Sequence, residues 1–254
     1  METTQDIPER YLLQESYQQE GNKIYSREVA LAISSLNRET QYAQGHNDLA
    51  LRNYLYRIEI EDTVLHGQVP LCKDLAYRLS FRYDWAEIVY PEYRHNAILN
   101  KDELKEQMEG MDRIIQGDYP QENSHNVWDY TDDQSPNSPL MQYRHFALLF
   151  PDYMLLKGQG ERIIRLSEDI PYVFKEKLLL QKQNLSNENI IYQLEGTIID
   201  DENTSLQAFQ THIELDTTTR KVSNATAQII LVNNESIEEE WTFNLMSLNR
   251  YYYE

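Results

Sequence analysis

SREVALAISSLNRETQYA, residues 26–43, sets the fold class. Ser26 offers a hydroxyl that can cap a helix by accepting a hydrogen bond from a free backbone N–H of the first turn. Val29, Ile33 and Leu36 then recur at the i, i+4, i+7 spacing of one helix face, with Ala30 and Ala32 filling in. Gly45, His46, Asn47 and Asp48 break the pattern. The segment reads as an amphipathic helix, and residues 1–23 before it as a polar, loose lead-in.

Downstream the period changes. In RNYLYRIEIEDTV, 52–64, Tyr54, Tyr56, Ile58 and Ile60 alternate with Arg57, Glu59 and Glu61. That predicts a half-buried strand over 53–61. In AYRLSFRYDW, 76–85, Tyr77, Leu79, Phe81, Tyr83 and Trp85 share one face, which predicts a second strand. Asn100 and Glu103 then have the spacing of a capping box. Leu104, Met108, Met111 and Ile115 continue an apolar stripe, so a helix of about four turns is expected to end near Gly117.

Beyond residue 140 the chain reads as strand after strand, beginning with QYRHFALLF at 142–150 and YMLLK at 153–157, with Pro151 between them. RIIRLS (162–167), YVFKEKLLLQ (172–181), IIYQLEGTII (190–199) and LQAFQTHIEL (206–215) follow. ATAQIILV (225–232) and EEWTFNLMSL (239–248) complete the series. Polar turn segments separate them at regular intervals, as in an antiparallel meander closed as a barrel or folded as a sandwich. In LQAFQTHIEL, Phe209, Thr211, Ile213 and Leu215 oppose Gln210, His212 and Glu214, so one face is expected to be wet. The sequence therefore predicts an α+β fold, with N-terminal helices and a central helix joined to an antiparallel β-meander in the C-terminal half. Its regions are the lead-in 1–23, a helix–strand–helix region 24–116, a loop 117–139 and a β region 140–254, which can form one domain with 24–116.

The chain carries 42 acids against 23 bases, a net charge of −19. That balance repels phosphate and argues against nucleic-acid binding by a broad basic surface. A basic protein partner is compatible with it. One cysteine, Cys72, cannot form an intrachain disulfide. The N-terminus lacks the apolar core of a signal peptide and no run is long enough to span a bilayer, so a cytoplasmic protein without a membrane partner is expected.

Motifs for chemistry are sparse. Gly158-Gln159-Gly160 lacks the third glycine of a dinucleotide loop, since position 163 is Ile163, and reads as a hairpin. His46, His66, His95, His125, His145 and His212 show none of the spacings that place two imidazoles on one metal. No cofactor and no structural metal are expected. Tyr-Arg-His occurs at 93–95 and again at 143–145, a repeat that chance accounts for in a chain of this length.

The loop 117–139 carries the candidate binding residues. Residues 101–133 hold ten acids and three bases. Within the loop stand Tyr119, His125, Trp128 and Tyr130, beside Asp129, Asp132 and Asp133. Trp and Tyr are common interface anchors, and acidic neighbours complement a basic rim. The alternative is that Trp128 folds back and staples the loop. The functional expectation is a non-enzymatic interaction protein binding a basic protein partner, such as an inhibitor, immunity or assembly component. The alternative is a β-barrel holding a small apolar or aromatic ligand, or an enzyme with dispersed histidine and carboxylate residues.

Overall fold

The computed structural model describes residues 8–35, 54–67, 85–90, 100, 102–104, 106–107, 144–151, 161–166, 172–184, 189–199, 204–216, 221–233 and 236–248. Four strands come first: β1 (Glu9–Gln19), β2 (Asn22–Ser35), β3 (Tyr54–Gly67) and β4 (Trp85–Tyr90). A short helix, α1 (Arg144–Leu149), follows. Six more strands complete the chain: β5 (Glu161–Arg165), β6 (Val173–Asn184), β7 (Asn189–Ile199), β8 (Ser205–Asp216), β9 (Val222–Val232) and β10 (Glu238–Ser247).

The ten described strands form one antiparallel sheet in the order β4-β3-β2-β1-β10-β9-β8-β7-β6-β5. The sheet is two meanders joined where β1 pairs with β10, Leu13 opposite Leu245. The β1–β2 hairpin closes through Glu20 and Gly21, both at positive φ. Two consecutive positive-φ residues give the turn whose twist matches the flanking strands.

This architecture overturns the α+β expectation. The N-terminal helix predicted over 26–43 is strand β2 as far as Ser35. Val29 and Ile33 satisfy both periods, but Tyr25, Arg27, Val29, Leu31 and Ile33 are all buried at every second position. The buried Arg27 hid that alternation, and the turn closed by Glu20 and Gly21 fixed it. Within the expected lead-in 1–23, residues 9–19 are β1, whose inner face is Tyr11, Leu13 and Glu15, and residues 1–7 lie outside the described residues. The expected four-turn central helix is not borne out: within its span helical residues are described only at 102–104 and 106–107, and the rest of the span lies outside the described residues. Asn100 Oδ1 accepts from the backbone N–H of Glu87 at 2.7 Å. The segment QYRHFALLF, read as a strand, contains α1. Arg144 to Leu149 are all buried, and a segment buried on every side carries no periodic signal.

The expected antiparallel strands of the C-terminal half appear as β5 to β10, and the strand expected at 53–61 is β3. The expected strand 76–85 lies outside the described residues except for Trp85, which opens β4.

The sheet is rolled around α1. Arg144 bonds β6 and β8, and the helix packs on β9 and β5. Phe150, just past its end, meets Tyr56 of β3 at 5.9 Å between ring centroids. β3 and β5 are eight strand spacings apart, about 38 Å in a flat sheet. A helix of six residues is about 9 Å long, so both strands reach it only if the sheet curls. The same curl brings Tyr172, beside β6, to 6.1 Å from Trp241 of β10. Ala225 and Ala227 keep the inner face of β9 small where α1 approaches.

Candidate functional site

The inner face carries two buried ionic clusters. Glu15 and Arg27 pair across β1 and β2, and Tyr25 Oη donates to Glu15 Oε1 at 2.9 Å. Under α1, Glu176 receives Arg144 Nη1 at 2.7 Å, Arg162 Nε at 2.6 Å and Thr211 Oγ1 at 2.7 Å. Arg144 also donates to the Thr211 hydroxyl, and Arg162 Nη1 donates to the Ala147 carbonyl at 2.9 Å. Arg162 thus ties β5 to both β6 and the helix. The Arg144 guanidinium lies 5.6 Å from the centroid of the Phe209 ring.

Burial alone raises a carboxyl pKa, but Arg144 and Arg162 outweigh it and hold Glu176 at about 2. His145, on the helix beside Arg144, is pushed down to about 3, first by burial and then by the Arg27 charge. It is therefore neutral at physiological pH. The interior is thus packed with side chains around fixed charges. The largest of the fully buried side chains is Arg144 itself.

The open space is on the other face. There a groove of about 1050 Å³ crosses strands β2, β1, β10, β9, β8 and β7 and reaches Leu179 of β6. The bulges in β2, β6, β8 and β9 add local twist and bend to these strands. Two cross-strand rows line the groove. One runs Glu28, Gln14, Asn244, Thr226, His212, Gln193; the next runs Ser26, Ser16, Thr242, Gln228, Gln210, Glu195. On the two central strands the short Thr242 and Thr226 leave depth beside the longer Asn244 and Gln228; Glu28 and Gln193 end one row, Ser26 and Glu195 the other.

The two ends of the groove differ. On the β1, β2 and β10 side the polar groups satisfy one another. Gln14 Nε2 donates to Glu28 Oε1 at 2.9 Å, and Asn244 Nδ2 donates to Gln14 Oε1 at 3.3 Å. Ser16 and Thr242 share a hydrogen bond at 2.6 Å. Gln228 Nε2 donates to Glu240 Oε1 at 2.6 Å. On the β7 and β8 side, Gln193, Glu195 and Gln210 are exposed and make no such bonds. His212 Nε2 lies 3.6 Å from Glu214 Oε1. Leu179, 62% exposed, forms an apolar lip beside them.

Every candidate residue named from the sequence in the loop, Tyr119, His125, Trp128, Asp129, Tyr130, Asp132 and Asp133, lies outside the described residues. Sequence reading had Gln210, His212 and Glu214 on the wet face of β8, and there they are. It missed the other strands' contributions. The signal was present: of the twelve positions in the two rows, only Glu28 and Glu195 are acids and none is Lys or Arg. In a chain with 26% charged residues, that selection of amides and hydroxyls departs from an ordinary solvated face. Among the described residues, no three His, Cys, Asp or Glu side chains converge as metal ligands. No described helix is long and apolar enough to cross a membrane.

No protein-family model matches the sequence, and no curated protein is significantly similar to it.

Proposed function

We propose that this chain is a binding protein that receives a polar segment of a protein partner in the groove on the outer face of its sheet. The observation that carries this reading is the groove itself: amides and hydroxyls from six adjacent strands, set over an interior filled with side chains. Grooves that bind ligands place convergent polar groups on a rigid frame, and antiparallel strands tied by buried ion pairs supply that frame. The wide, open form suits a polypeptide better than a small molecule sealed from water. An apolar ligand inside the rolled sheet is disfavoured, because α1 fills that space. The net charge of −19 favours a basic partner through faster, salt-sensitive association. The acidic loop 117–139, with Trp128 as an anchor, belongs to the same proposal as a second contact.

The test is affinity capture from a lysate of the source cells with three proteins. These are the unaltered chain, Thr226→Trp, which fills the middle of the groove, and Lys175→Trp, which adds the same bulk outside it. Proteins retained by the first and third but lost with Thr226→Trp support the reading. A captured set indifferent to Thr226→Trp, with that variant folded, removes it.

A further inference from the structure

Resting on the groove reading above, we infer that the β7–β8 end of the groove recognises a guanidinium group, an arginine side chain of the partner. The two ends of the groove divide the work. At the β1, β2 and β10 end Gln14, Glu28, Asn244, Ser16 and Thr242 bond one another, so that end holds its shape and offers fewer acceptors. At the β7–β8 end, Gln193, Glu195 and Gln210 offer acceptors that no side chain occupies among the described residues.

Their placement is set by the sheet. Glu195 stands directly opposite Gln210, and Gln193 directly opposite His212. Directly opposed side chains are about 5 Å apart, and i, i+2 neighbours on one strand about 7 Å. A guanidinium is a flat fork of five N–H donors with no acceptor. The Glu195 carboxylate can take two of those donors in parallel, and the Gln193 and Gln210 carbonyls can take the others from the sides. An ammonium, a compact point charge, makes less use of such a set. The exposed Leu179 lip lies where the methylenes of an arginine stem would rest, since such stems cover apolar surface while the head stays polar.

The local charge agrees. Glu28 and Glu195 line the groove, and Glu214 and Glu240 flank it. Against them Lys23 is the exposed lining cation, while Arg27 is held by Glu15 on the inner face. An anion meets repulsion there, and a cation is attracted.

The test uses fluorescence anisotropy with the full chain at 0.15 M salt and three labelled hexapeptides. They alternate glycine with arginine, with lysine or with citrulline, the uncharged isostere of arginine. The arginine peptide should bind at least threefold more tightly than the lysine peptide and at least tenfold more tightly than the citrulline peptide. Glu195→Gln should weaken the arginine peptide about tenfold. Glu161→Gln, an exposed acid away from the groove, should leave it within twofold, which separates a site from the overall charge. Equal binding of arginine and lysine peptides overturns the inference, as does equal loss in Glu195→Gln and Glu161→Gln, or no binding at all. If lysate capture still depends on Thr226 while the peptides fail, the groove reading stands and the guanidinium inference falls. If capture ignores Thr226→Trp, both fall.

Discussion

Glu176→Gln should be among the most costly single changes in this chain. Glu176 is fully buried between two arginines, and its carboxylate accepts from Arg144, Arg162 and Thr211 at 2.6–2.7 Å. Glutamine keeps one carbonyl acceptor but turns an NH₂ group towards donors on the other side. It also removes the only charge in this cluster that balances two guanidinium groups. Breaking a buried pair by removing one partner costs about 3–5 kcal/mol, most of it from the charge left behind. For a chain of this size that corresponds to a fall in Tm of roughly 6–20 °C. The assay is urea unfolding followed by tryptophan fluorescence and circular dichroism together, so that a change in m-value is detected. Adding Arg162→Met to Glu176→Gln should recover part of the loss, because it withdraws one uncompensated cation. The pH profile gives a second check. The folded pKa of Glu176, about 2, lies below its ordinary 4.5. Its contribution is therefore complete above pH 4.5 and lost as pH falls towards 2, and the variant should lack that component. A loss under about 1 kcal/mol for Glu176→Gln refutes the reasoning.

Gly196→Ala should cost about 1–3 kcal/mol by overpacking, because a Cβ there would stand 2.5 Å from the Phe209 ring; Phe209→Leu should restore part of it, and unchanged denaturation midpoints would count against the contact. His145 has its folded pKa lowered from 6.5 to about 3, so the unfolded chain takes the proton first and stability should fall as pH drops from 6.5 towards 3. His145→Gln should flatten that slope in a Tm-versus-pH series, and parallel slopes would argue against a buried neutral imidazole. If the acidic loop is a second contact, Trp128→Ala should speed partner dissociation at a cost of about 2 kcal/mol, whereas a lower Tm with unchanged affinity would make Trp128 a staple.

The strands of the C-terminal half were legible because apolar and polar residues alternate in them without interruption, as in LQAFQTHIEL. The N-terminal strands were not, and the reason lies in particular residues. Glu15 sits at an inward position of β1, and Arg27 at an inward position of β2. Each looks like a solvent residue to any hydrophobicity pattern, and each breaks the alternation at its centre. Only their pairing across the hairpin makes both burials tolerable, and pairing is a tertiary fact. Helix α1 failed for the opposite reason. Arg144 and His145 open a segment in which every residue is buried, so neither period two nor period 3.6 appears. The groove was half legible. The polar face of β8 was read from its alternation, but that the polar faces of six strands align across the sheet depends on strand order, and the β1–β10 junction pairs strands far apart in the sequence.

The buried ions and the groove occupy the same waist of the sheet, and the period of a strand links them. Glu15 points inward between Gln14 and Ser16, Arg27 between Ser26 and Glu28, and Thr211 between Gln210 and His212. A slip of one residue in any of these strands would turn its groove side chains into the core and its buried polar group, Glu15, Arg27 or Thr211, into solvent. Apolar residues at the inward positions would resist such a slip only through their shape. Paired charges resist it through the cost of a buried ion left alone, about 3–5 kcal/mol, which is a large share of the total stability of a protein. The ion pairs therefore bear on register as well as on stability. Register on the inner face is what places Glu195 opposite Gln210 and Gln193 opposite His212 on the outer one.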